Sequence, residues 1–377
     1  MIEQTLAIIR NTFFESIRQP IMLVLLIIAT LAIILSNPLS AFTMENDQRM
    51  LIDIGLATIF LCGALLAAFI ATNVLGREIH NKTALTVISK PVGRPLFVLG
   101  KFLGVAGAML LATAYMSFVF LLVEQHTVLQ TVRDPVHVPV IVFGVSAGVL
   151  GLAVGIWCNY FYGKVFSSTV IVVTTPLAGL AYLLSLNFRF DFAVQPISTN
   201  FNLSMWMALA ALAIAILVLS AIAVAASTRL GQVLTLVITL GVFTLGMVSD
   251  HFIGRPIKGL EDLWLQRARL QNQTQTVNHN YTIVLESGET EPVSKTREIA
   301  TVPLRNFATT GEKFKYAELK TAYAIVPNFQ VLWLSDALTQ SHKIPPAYIG
   351  RTITYGCLQV VAALSVAIIL FQRREVG

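Results

Sequence analysis

The residues able to carry chemistry are scattered rather than clustered. The six histidines stand at positions 80, 126, 137, 251, 279 and 342, and Cys62, Cys158 and Cys357 each lie inside an apolar run without Cys-x-x-Cys spacing. That pattern supplies neither a zinc site nor a disulfide framework. Asp250 with His251 and Asp336 with His342 are acid–histidine pairs without triad or metal spacing. A phosphate loop needs Gly-x-x-x-x-Gly-Lys-Ser/Thr, because backbone N–H groups cradle the phosphates and the hydroxyl holds magnesium. Around Gly100-Lys101, Pro95 replaces the first glycine and Phe102 the hydroxyl, so the chain carries no ATP-hydrolysing machinery of its own. Ion-coupled carriers place Asp, Glu or His within their spans. Here Asp53 and Lys101 stand one turn from helix ends and are read as reaching the interface, which disfavours a proton or sodium antiporter.

The elements that hold these residues are mostly apolar. Of 377 residues, 55% are hydrophobic and 12% charged, and the mean hydropathy is +0.73. Soluble domains carry about 25% charged residues, so an ordinary soluble enzyme is excluded. A helix crossing the bilayer needs about 20 apolar residues. Runs of that kind are read at 20–36, 51–75, 96–123, 137–158, 165–186, 205–227, 231–249 and 347–371. The first run ends at Asn37-Pro38 without a small-residue cleavage site and is read as a retained span. Before it, Ile2, Leu6, Ile9, Phe13 and Ile17 recur at helical steps among Arg10, Glu15 and Arg18, the pattern of an amphipathic interfacial helix over residues 1–19.

Lys and Arg in short loops set orientation. With the N-terminus inside, that side receives Arg10, Arg18, Arg77, Lys82, Lys90, Arg94, Lys101, Lys164, Arg229, Arg373 and Arg374, against Arg49, Arg133 and Arg189 outside. Both termini are therefore expected in the cytoplasm. The formal charge of +6 is a topology signal on this reading, not a nucleic-acid footprint. The expected fold is an all-α polytopic membrane protein of about eight transmembrane helices, with spans one to seven over 20–249. The last span and tail occupy 347–377.

Residues 250–346 hold eleven Lys or Arg and ten Asp or Glu and read as a small α+β extracytoplasmic insertion. Ile257, Leu260, Trp264, Ala268 and Gln271 predict an amphipathic helix. Tyr281–Leu285 and Glu298–Val302 read as strands around the polar segment 286–292. From Val326 to Leu338 the pattern predicts an amphipathic helix with Phe329 and Trp333 as interfacial anchors. Gly100, Gly104 and Gly107 line one side of the third span at steps of four and three, spacing that permits close helix approach. In the loop 76–95, Ala84, Leu85, Val87 and Ile88 lie between Glu78, Lys82, Lys90 and Arg94. Such a short amphipathic helix, ended by Pro91, suits a cytoplasmic partner.

Ile9-Arg10-Asn11-Thr12-Phe13-Phe14-Glu15-Ser16-Ile17-Arg18 resembles the elbow helix that opens permease subunits of type-2 ABC exporters. The same likeness runs through Gly76-Arg77-Glu78-Ile79, Lys82-Thr83, Ser89-Lys90-Pro91-Val92-Gly93-Arg94 and Leu99–Gly104. It extends to the end of the last span, Phe371-Gln372-Arg373-Arg374-Glu375. The resemblance covers residues 2–125 and 327–375. It implies an export path shared by two permease copies or two related permeases in the inner membrane, in contact with membrane lipid. It implies a cytoplasmic ATP-binding subunit that holds ATP and Mg, and no cofactor in this chain. Arg77, Glu78, Lys82, Lys90 and Arg94 then become coupling contacts, and Arg10, Phe13, Phe14 and Arg18 elbow residues, none of them catalytic. Eight spans and a large outer insertion depart from the six spans and short outer loops common in that family. A membrane enzyme acting on lipid or peptide, and a sensor or scaffold whose outer domain binds a protein, are the competing classes.

Overall fold

The computed structural model describes residues 2–43, 46–76, 93–129, 134–284, 290–340 and 344–372. Helix α1 (Ile2–Ile17) is followed by α2 (Pro20–Ser40), α3 (Asp47–Ala71), α4 (Arg94–His126), α5 (Val138–Tyr162), α6 (Phe166–Ser185) and α7 (Leu203–Ser227). Then come α8 (Gln232–Ser249), α9 (Arg255–Leu270), strands β1 (Thr274–Val284) and β2 (Thr290–Ala300), α10 (Thr310–Ile325), the short α11 (Ser335–Thr339) and α12 (Pro346–Gln372). Single π turns follow α3 at Thr72–Gly76 and α8 at Asp250–Gly254. Among the described residues, eight helices are long and apolar enough to cross a membrane, and each coincides with a run read from sequence.

Local chemistry explains their ends. Proline opens α2, α4, α5 and α9, where its missing N–H costs nothing. The Asn202 side chain accepts the Met205 N–H at 3.1 Å to start α7, and Gly163, at φ +60°, closes α5. Within spans, hydroxyls return to the carbonyl one turn back, as in Thr113 to Met109 O and Ser220 to Ile216 O at 2.8 Å each. The hydroxyls bonded in this way leave no unpaired donor in hydrocarbon, whereas those of Thr174, Thr235 and Thr352 are buried without a partner. The first span outruns its apolar stretch in the same way. The Ser36 and Ser40 hydroxyls donate to the carbonyls of Ile33 and Ser36, and the helix continues through Asn37-Pro38 to Ser40.

The chain divides into two compact units, Met1–Leu240 with Ala347–Gly377, and Gly241–Pro346. In the first, α3, α4 and α7 are the most buried spans and pack on one another. Helix α1 packs along α4, α2 along α3 and α4, and α5 along α6. A core cluster joins Ala71, Phe97, Phe102, Val224, Ala367 and Phe371, with Ile8 of α1 against it.

The second unit is built on α9, whose Leu260, Trp264 and Ala268 are buried, as the helical spacing predicts. Trp264 and Tyr316 form its core with Ile257, Leu304, Phe307 and Leu319 around them. Strands β1 and β2 pair antiparallel from Thr274 opposite Ala300 to Val284 opposite Thr290. That register takes Thr290, Glu291 and Pro292, read from sequence as turn, into the ladder, and Thr301-Val302 fall outside it. The stretch 326–338 is not one helix. The Asn328 side chain accepts the Gln330 N–H at 2.9 Å, a local bond that competes with helix formation, and only a 3-10 turn at Phe329–Val331 and α11 remain. Phe329 is fully buried, its ring beside Gly246. It is a core residue, not an interfacial anchor.

Candidate functional site

The site of interest is built on α1 and the first half of α4. Three glycines of α4 form a groove, and α1 lies in it. A Cβ at Gly104 would fall 2.5 Å from Thr12 Cβ and 2.7 Å from the Ile9 carbonyl oxygen. One at Gly100 would fall 2.9 Å from Ile8 Cγ2, and one at Gly107 3.2 Å from the Phe13 ring. The stripe read from sequence thus faces the N-terminal helix, and the approach requires glycine most strictly at Gly104, where a Cβ would meet the backbone of α1.

The face that α1 turns to the groove is not its apolar stripe alone. Thr12, Ser16 and Ile17 are fully buried, whereas Leu6 is 59% exposed. The Ser16 hydroxyl donates to Thr12 O at 2.8 Å. Ser16 satisfies its hydroxyl within the helix, the buried Thr12 hydroxyl makes no hydrogen bond, and both residues are small enough to keep the two backbones close. Periodicity of apolar residues missed them, although the matching glycine steps on α4 carried the signal.

Lys101 is 3% exposed. Its Nζ lies 3.6 Å from Glu15 Oε2 and 5.8 Å from the centre of the Phe97 ring. Sequence reasoning sent this lysine to the interface. The structure buries it against an acid of α1, because the glycines on either side bring Glu15 within reach. A buried ammonium is tolerated only with such partners.

Phe13 faces the groove, and Phe14 lies outward, edge-on to it at 5.5 Å. Arg10 and Arg18, one turn to either side, place their guanidinium carbons 5.8 and 5.7 Å from the Phe14 ring. The result is an exposed cation–aromatic–cation stripe on α1.

Hydrogen bonds gather further helix ends at this end of the bundle. Asn73 donates to Gln19 Oε1 at 3.2 Å and Ser167 to Arg18 O at 3.0 Å. Arg94 Nη1 donates to Gln372 O at 3.0 Å, and Arg229 Nε to Leu370 O at 2.9 Å. Both arginines thus meet carbonyls at the C-terminus of α12, where positive charge is favoured. Arg94 is therefore engaged within the chain. Arg77, Glu78, Lys82 and Lys90 lie outside the described residues.

One motif escapes the sequence reading altogether: Gly144-Val145-Ser146-Ala147-Gly148 spells Gly-x-Ser-x-Gly. A hydrolase needs that pattern on a sharp strand-to-helix turn. Here it sits in the middle of α5 with Ser146 exposed, so the spelling carries no nucleophile.

By length and composition, the eight membrane-length helices among the described residues define a multi-pass helical membrane protein. Comparison with protein-family models, with curated proteins and with solved structures finds no match to this chain.

Proposed function

We propose that this chain is the membrane-spanning subunit of an ATP-driven exporter of the type-2 ABC class, coupled to a separate cytoplasmic ATP-binding subunit. The observation that carries the reading is the seating of α1 in the Gly100–Gly104–Gly107 groove, clamped by Lys101 and Glu15. An elbow helix fixed in this way moves with the span it lies on. That span, α4, begins directly after the loop expected to meet the ATPase, and at 33 residues it extends about 50 Å. A push on the loop would move α1 and α4 as one body and displace the far end of α4.

On this reading the end that carries Arg10, Arg18, Arg94 and Arg229 is cytoplasmic, in keeping with the positive-inside bias. Arg10, Phe14 and Arg18 meet the headgroup layer. Arg77, Glu78, Lys82 and Lys90 meet the ATPase, and ATP and Mg belong to that partner. Two permeases would enclose the path between them.

The test is a mild-detergent pull-down of the tagged chain from its native membrane, with mass spectrometry and an ATPase assay of the eluate. A stoichiometric ATP-binding subunit with vanadate-sensitive turnover is the expected result. Absence of such a subunit under crosslinking overturns the reading in favour of a membrane enzyme or sensor. Glu78→Lys should weaken ATPase recruitment and leave insertion intact.

A further inference from the structure

At the other end of α4, a cavity of about 530 Å³ opens between α2 and α5, with α4 and α6 as its floor. This volume is within the range of ligand pockets, about 300–1,000 Å³. Its walls are apolar, with Ile34, Ile141 and Val145 as half-exposed rims and no charged side chain of Asp, Glu, Lys or Arg among the residues that line it. The polar groups are few and unevenly placed. Thr30 Oγ1 and Tyr115 OH bond to each other at 3.0 Å. Thr174 on the α6 wall is buried, and its hydroxyl has no partner. Asn37 and His126 sit together at one mouth. There Asn37 Nδ2 donates to Thr127 O at 2.8 Å, and His126 Nδ1 lies 3.1 Å from the same oxygen. Thr127 adopts φ 61°, a costly conformation for a β-branched residue, so these contacts hold a strained mouth in place.

We propose that this cleft binds the hydrocarbon chain of a membrane lipid, with the lipid's polar end at the Asn37–His126 mouth. The chemistry of the walls rules out an extended peptide and bulk water. An extended peptide brings one donor and one acceptor per residue, and a cleft with so few partners would leave most of them unpaired at a cost of several hydrogen bonds. A helix of a second copy, whose backbone is paired internally, is left to the crosslinking outcome below. Water does not fill an apolar space of this kind, and an empty one forfeits the dispersion contacts of its lining. A lipid chain requires no partners along its length and one polar contact at its head, which matches the placement of polar groups here. The site depends on the helices crossing a bilayer and not on any ATP-binding partner, so its failure and that of the exporter reading are separately visible.

The probe is phosphatidylcholine with a diazirine on its acyl chain, mixed into phosphatidylcholine nanodiscs holding the full chain, then photolysed and mapped by peptide mass spectrometry. Adducts at Val123 and Val145 should exceed those at Val142 and Leu150, exposed on other faces of α5, by about fivefold, a modest binding preference. A Cβ at Gly148 meets no atom within 4 Å, so Gly148→Phe places a ring in the cleft without a backbone clash and should abolish the excess. Val145→Trp, at a 59% exposed rim position, is a second blocking variant if the first fails to fold. Leu150→Phe should leave labelling unchanged. Labelling that follows exposure alone, an excess that survives both blocking variants, or crosslinks from the cleft to a second copy of the chain would each overturn the proposal.

Discussion

Two helix contacts, one in each compact unit, are made by opposite means. Helix α1 sits on α4 through glycines and buried hydroxyls, with one lysine–glutamate pair beside them. Helix α10 is joined to α9 through large side chains and charge. Trp264 fills the core, and Glu312 accepts from Trp264 Nε1 at 3.1 Å, from Arg267 by two bonds of 2.7 Å, and from the Thr309 N–H at 3.0 Å. The last of these closes a capping box with the Thr309 hydroxyl at the start of α10. In water, burying a tryptophan is itself favourable. Beside a span in lipid, apolar surface gains little from burial, and attraction comes from close packing. The contrast teaches that the same purpose, holding a helix to its neighbour, is met by large residues and charge in the polar unit and by small residues among the apolar helices.

That contrast can be broken at defined points. The largest effect belongs to the second unit. Trp264→Ala should cost about 3–5 kcal/mol, the usual cost of emptying an aromatic core position. It would be read as faster proteolysis within 274–300 in the full chain. Next is the glycine groove: Gly104→Leu overpacks it by about 1–3 kcal/mol and should release α1, seen as faster amide exchange across Ile2–Ile17 with α4 unchanged. Equal protection in the variant would remove close packing as the cause.

A smaller effect is expected at the ion pair. Glu15→Gln removes the carboxylate that faces Lys101 in this pair and should lower thermal stability by about 1–2 kcal/mol, less than a fully buried pair, because the Glu15 side chain is 36% exposed. Lys101→Met in the same background should restore most of it. The smallest change concerns pH. The Arg267 guanidinium, then the Thr309 N–H, hold the Glu312 carboxyl down at about 2 from an ordinary 4.5. The lowered value means that its contribution is complete above about pH 4.5 and disappears as pH falls from there through about 2. Acid titration of α10 helicity should show this loss, and Glu312→Gln should remove the pH dependence.

Much of the fold was legible. Each of the eight runs became a helix, because twenty apolar residues with internally bonded backbones have no other stable form in lipid. The α9 stripe of Leu260, Trp264 and Ala268 was equally readable from its spacing. Where the reading went wrong, short-range polar bonds intervened. The Asn328 side chain broke 326–338 into turns, and serine hydroxyls carried α2 past Asn37-Pro38. Of the candidate site, the glycine stripe and the Arg10, Phe13, Phe14 and Arg18 helix were visible as separate features.

Length, hydropathy and helical spacing, all local along the chain, determined by themselves that this protein is a bundle of membrane-length helices with an amphipathic helix at its start. Only the tertiary structure decided that Gly100, Gly104 and Gly107 receive that helix, that Lys101 is buried against Glu15 rather than turned to the interface, and that α2 and α5 stand apart over an apolar cleft. These depend on which residues distant in sequence meet. Hydropathy is blind to that choice, because in lipid it is shape and pairing, not apolarity, that distinguish one helix neighbour from another.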